Sequence, residues 1–168
     1  MEAHENFQKR SWRNRCRIGG VNGEQTLTVP LVKGKNAGVP IREVRISYDE
    51  DWVRHHERAI RTAYGRAPYY DFYAEELLAV LHERPVTLWQ LNHDLLLCAL
   101  DLLQWPVRPE PTTAFVPPAA EGYLRPGADA TPPLPPYPQV FSDRFGYRSG
   151  LSVLDALFCL GPALVSHA

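Results

Sequence analysis

The chain has 168 residues, about one domain's worth, and its 45% hydrophobic, 22% charged and 11% aromatic content excludes wholesale disorder. Its formal net charge of −1, from 18 Lys+Arg against 19 Asp+Glu, excludes a uniformly basic coat but not a local basic patch. Divided after Arg66, the front carries 13 Lys+Arg against 8 Asp+Glu, a net of +5, and the rest 5 against 11, a net of −6.

The front reads as strands. Leu27, Val29 and Leu31 alternate with Thr26, Thr28 and Pro30. Gly19-Gly20 and Asn22-Gly23 predict a hairpin from Arg13–Ile18 into Thr26–Val32. Pro30 has no N–H to give a ladder, so that strand is an edge or ends there. Lys33–Gly38 reads as a basic loop, and Ile41–Ile46 as a less regular strand with Ile41, Val44 and Ile46 apolar.

Three helices follow. Asp49 or Asp51 caps the first, which runs through Tyr64 to Gly65, with Trp52, His56, Ala59, Ile60 and Ala63 on one face. Pro68 suits the opening turn of the second, which extends to about Arg84 with Phe72, Leu77, Leu78 and Leu81 inward. Thr87-Leu-Trp-Gln90 is a capping-box pattern for the third, which Pro106 stops after Trp105.

Residues 106–138 hold 11 of the 16 prolines and are expected to connect, in extended polyproline-like backbone, without regular structure. A docking ligand of the PxxP type is the alternative there. A strand-like piece, Tyr137–Phe141, and a short helix from about Leu151 to Leu160 complete an α+β (or α/β) domain spanning 1–168. In it a small sheet packs on the three-helix middle.

Three dispersed cysteines, Cys16, Cys98 and Cys159, make neither a metal pattern nor a disulfide framework. The start has no apolar signal region, and Leu95–Leu103 is too short and is broken by Asp101, so no membrane span is expected. A cytoplasmic protein is the reading. No P-loop, GxGxxG or GxSxG occurs, and neither a cofactor nor a metal is expected.

The sharpest chemical feature is Lys9-Arg-Ser-Trp-Arg-Asn-Arg-Cys-Arg17. In a strand, Arg13, Arg15 and Arg17 share one face and Trp12, Asn14 and Cys16 the other. Guanidinium forks in a row suit phosphate or carboxylate, with Lys9, Arg10, Arg13, Asn14 and Arg15 as candidate anion and substrate contacts. A solvated cationic edge is the plainer alternative. Cys16 between two arginines is a weaker candidate nucleophile, its pKa expected to fall.

His55 and His56 point about 100° apart on a helix, so they do not share a ligand. His56, four residues after Trp52 on the apolar face, is a candidate general base or a core histidine. Tyr64 and Tyr69, in an aromatic cluster, are candidate substrate contacts or core. Asp155, alone among apolar residues, is a candidate catalytic carboxylate or a structural partner.

In chain order, several pieces resemble one family: Lys9-Arg-Ser-Trp-Arg-Asn-Arg15, Leu27-Thr-Val-Pro30, Lys33-Gly-Lys35, Ile41-Arg-Glu-Val-Arg-Ile46, and Trp52 with His56. Ala63-Tyr64, Ala67-Pro-Tyr-Tyr70, Gln139-Val-Phe141 with Gly146, and Leu151–Phe158 with Gly161-Pro162 continue it. Together these resemble the WbqC-like protein family of bacterial surface-polysaccharide gene clusters. The resemblance implies a place in O-antigen or lipopolysaccharide synthesis and a glycyl or aminoacyl transferase acting on an amino sugar. The family usually carries a further N-terminal strand and a QPxYxP-like stretch, and this chain starts almost on the arginine motif.

Two function classes follow. In the first, a transferase takes an activated sugar or aminoacyl donor, with Arg13 and Arg15 on the anion, Asn14 orienting and His56 accepting the acceptor's proton. In the second, a non-catalytic protein of the same pathway binds anions, RNA (such as a charged tRNA) or an assembly partner through the same patch.

Overall fold

A computed structural model describes residues 1–9, 11–34, 36–116 and 134–167. The architecture is α+β. Strands β1 (Arg15–Gly20) and β2 (Gly23–Thr28) form an antiparallel hairpin. Helices α1 (Trp52–Tyr64), α2 (Tyr70–His82) and α3 (Leu88–Leu102) make the middle, and α4 (Ser142–Phe145), α5 (Val153–Leu160) and α6 (Leu164–His167) the end.

In the hairpin, Gly20 pairs with Gly23 across a two-residue turn, and Arg15 pairs with Thr28 at the open end. Gly23 holds φ +112°, which a side chain would strain. The strand begins later than its sequence predicts. Trp12–Asn14 closes into a 3-10 turn, with the Arg15 N–H on the Trp12 carbonyl. The single-face row of Arg13, Arg15 and Arg17 is therefore broken at its first member.

Ile41–Ile46 is not a strand either. Ile41–Glu43 forms a 3-10 turn after Pro40. The residues beyond it bond singly to different segments. Ile46 N–H reaches the Val86 carbonyl (3.1 Å), and the Arg45 and Val44 carbonyls accept from Val32 (3.0 Å) and Leu88 (2.9 Å). Among the described residues Tyr137–Phe141 is not part of a sheet ladder. There the Gln139 side-chain amide donates to the Arg148 carbonyl (3.0 Å) and accepts from the Arg148 N–H (2.8 Å).

Helix α1 buries Trp52, Val53, Ile60, Ala63 and Tyr64 along one stripe. Asp51 stands at its N-cap position without a side-chain cap bond. Helix α2 starts two residues after Pro68, so its inward stripe is Tyr70, Tyr73, Ala74, Leu77 and Leu81. Phe72, expected inward, is 69% exposed, because the spacing of that stripe turns it outward. At α3, the Thr87 hydroxyl accepts the Gln90 N–H as the capping pattern requires.

The buried side chains form two clusters. One joins Ile18 and Leu27 of the hairpin to α1, α2 and the apolar face of α5. The other joins Phe7, Ile41, Val44 and Ile46 to Trp52, Leu81, Leu88 and Leu91. Leu78 and Leu95 touch both, and between the clusters lies a cavity.

Candidate functional site

The cavity has a volume of about 300 Å³. Its walls are Leu77, Leu78 and Leu81 of α2, Leu91, Leu95 and Ala99 of α3, and Leu154 and Phe158 of α5. Each of these falls on an inward helical face, so periodicity marks them as core. Polar groups come from Arg13, Asn14 and Arg15 before and on β1, His56 of α1, Asn92 of α3 and Ser152 before α5. The folded chain thus brings the arginine motif and His56 to one cavity. Trp12 (46% exposed), Leu96 (38%) and Val153 (50%) carry its lining to the surface.

Much of the motif is engaged in holding the fold. Arg13 is buried, and its Nε donates to Glu5 Oε1 (2.8 Å) while its Nη2 pairs with Glu5 Oε2. Its carbonyl accepts from Asn92 Nδ2 (2.8 Å). Its Nη1 is buried without a hydrogen-bond partner among the described residues. Asn14 donates from Nδ2 to the Val29 carbonyl (3.0 Å) and accepts the Val29 N–H at its own carbonyl (2.9 Å), prolonging the hairpin. Arg17 contacts Glu24 (3.4 Å) and lies over the Trp12 ring (5.0 Å). Arg15 is exposed and has no ion pair among the described residues. Lys9 is exposed, and Arg10 lies outside the described residues.

His56 is half-buried and packs edge-on to Trp52, the ring centres 4.9 Å apart. The Trp52 indole is itself fixed by a bond from Nε1 to the Ser47 carbonyl (3.0 Å). Desolvation lowers the His56 pKa below its ordinary value, assisted by the charge of His55 and opposed by a bond to the Thr28 carbonyl. The imidazole is therefore neutral at pH 7. His55 is exposed on the outer face.

Cys16 also lines the cavity, but burial pushes its thiol up to about 11, with a bond to Ser152 opposing. The expected depression by Arg15 and Arg17 does not occur, because desolvation outweighs it. A protonated thiol at neutral pH is a poor nucleophile.

Asp155 stands apart from this cavity, facing a small recess beside Gly19, Gly20 and Gln139. It is 2% exposed. Oδ2 accepts from the Tyr64 hydroxyl (3.0 Å), and Oδ1 accepts from the Tyr137 hydroxyl (2.8 Å) and Gln139 Nε2 (3.0 Å). Burial raises its pKa, and these three donors oppose the rise. Tyr64 is fully buried and accepts the Gly19 N–H at its hydroxyl (3.1 Å). Tyr69 packs its ring on Gly161 and stacks on Tyr73 at 5.9 Å. Neither tyrosine lines the cavity.

Asn92 and Ser152 are contributors that sequence reasoning missed. Each is an ordinary polar residue in its local sequence, with no motif around it. Among the described residues no group of three or more His, Cys, Asp or Glu can hold a metal ion. No helix among them is long and apolar enough to cross a membrane.

The fold and site define a small α+β domain with a largely apolar cavity whose lining includes a histidine and arginines. The family model of the WbqC-like protein family matches residues 1–119, and the chain belongs to that family. The chain is 39% identical over 92 residues to the uncharacterized protein Rv1507c of Mycobacterium tuberculosis, covering 54% of this chain and 39% of that protein. It thus spans about two fifths of the length of the curated relative it matches. No solved structure matches it.

Proposed function

We propose that the protein is a transferase of bacterial surface-polysaccharide formation, moving an acyl-type group onto the amine of an amino sugar. The glycyl or aminoacyl group implied by the family resemblance is one member of that class. The observation that carries the reading is His56. It is half-buried against the Trp52 ring and set on a cavity wall shared with Arg15. Family membership supports the pathway.

The step runs as follows. The acceptor amine attacks the acyl carbonyl carbon while His56 takes the amine proton. A carbon–nitrogen bond forms and the bond to the leaving group breaks with its electron pair. Protonated His56 then returns the proton to the leaving group, so the products are an amide and a neutral thiol or alcohol. Arg15, exposed and free of carboxylate partners among the described residues, holds the anionic part of the donor. Arg13 takes a mainly positioning role, since Glu5 occupies two of its nitrogens. Asp155 and Tyr64 act as a structural clasp.

The alternative, a non-catalytic binder of RNA or an assembly partner, draws less support. Glu5 and Glu24 pair with Arg13 and Arg17, so two cations of the motif are already engaged within the chain. The deciding experiment compares the wild type with H56N for transfer of an acyl group from a thioester to glucosamine. A loss of about a hundredfold or more in H56N is expected for a general base. Equal rates overturn the assigned role. A steep fall of RNA affinity with salt, with no transfer in either protein, favours the binder.

A further inference from the structure

We infer that the cavity between α2, α3 and α5 takes the hydrocarbon chain of a fatty-acyl donor, with the carbonyl end at the Arg15–His56 edge. The inference rests on the transfer reading and names the group transferred.

Three observations point to it. First, the deep walls are leucine, alanine and phenylalanine side chains from three helices. Among the described residues the lining contains no Asp or Glu. A glycyl or other aminoacyl group brings an ammonium, which needs a carboxylate or carbonyl partner once removed from water. A hydrocarbon chain needs none, and it gains from every methylene buried.

Second, the same lining carries polar groups that lack partners. Arg15 is exposed without an ion pair among the described residues, and the buried Arg13 Nη1 has no hydrogen-bond partner there. Both residues line the same cavity as His56. A carbonyl or carboxylate oxygen is the complementary group for an unused guanidinium N–H. An amphiphile with an anionic or strongly polarised end and an apolar body matches both parts.

Third, size and rim agree. A dry cavity of about 150 Å³ holds one benzene ring, so twice that space holds roughly twelve carbon atoms. The cavity's about 300 Å³ is of that size. Trp12, Leu96 and Val153 extend the apolar lining out to solvent, giving a chain a continuous path of entry.

The test is calorimetric titration of the protein with the carboxylates hexanoate, octanoate, decanoate, dodecanoate and palmitate below their micelle concentrations. Affinity should rise about fourfold per methylene and level off near dodecanoate. R15E should weaken every member by a similar factor, because it acts on the head. A99F should move the plateau to shorter chains, because it fills the wall. L95F, one turn earlier on α3, repeats this test should A99F fail to fold.

A flat series, or a plateau that neither filling variant moves, overturns the inference. Transfer of a glycyl group beside a flat series overturns it and leaves the transfer reading standing. A rising series without transfer from octanoyl thioester to glucosamine supports the chain site and overturns the transfer reading.

Discussion

The Tyr64 hydroxyl and Asp155 Oδ2, 91 residues apart in sequence, meet in the core at 3.0 Å. The same hydroxyl accepts the Gly19 N–H, and the same carboxylate accepts from Tyr137 and Gln139. One buried carboxyl group thereby ties α1, β1, α5 and the segment before α4 together.

Removing either member should cost stability. Y64F leaves the Gly19 N–H and one carboxylate oxygen without a buried partner, at about 1–3 kcal/mol. D155A leaves two hydroxyls and an amide without their acceptor and should cost about 3 kcal/mol or more. Urea titration of both variants reads the difference. D155N that folds with wild-type stability but abolishes transfer would instead make Asp155 catalytic.

The ion pair of Arg13 and Glu5 has side chains only 6% and 13% exposed. E5A should therefore leave a buried cation uncompensated and cost about 3 kcal/mol. R15A, at an exposed position, should change stability by less than about 0.5 kcal/mol. Thermal melts of the two variants separate the arginine that holds the fold from the one open to ligand. A large loss in R15A overturns that division.

His56 sets a pH dependence. Its folded pKa lies below the unfolded value, so the folded state binds fewer protons. Its contribution to stability is complete above about pH 6.5 and is lost as pH falls through the lowered folded value. H56N should flatten this acidic limb of a stability–pH curve. The same neutral imidazole predicts a transfer rate constant over base that holds steady from pH 7 downward until the lowered pKa is reached.

Gly161 adopts φ +55°, and a Cβ there would lie 2.5 Å from the Tyr69 ring. G161A should cost about 1–3 kcal/mol through backbone strain and displacement of the ring. Near-ultraviolet circular dichroism should register the movement of Tyr69. An unchanged spectrum with unchanged stability would contradict this packing.

By itself the sequence determined the hairpin, the three middle helices and the Thr87 cap, because these depend on alternation, helical spacing and turn residues within a few positions. It also determined the family, through short pieces kept in order. It marked Arg13, Arg15 and His56 as residues of interest but had no means of dividing their work. Tertiary structure alone decided that Arg13 meets Glu5, that Arg15 stays free among the described residues, and that His56 is desolvated beside Trp52. It decided likewise that inward leucines from three helices stop short of one another and leave a cavity. Periodicity says which face is apolar, whereas the distance between two apolar faces is set by everything packed around them.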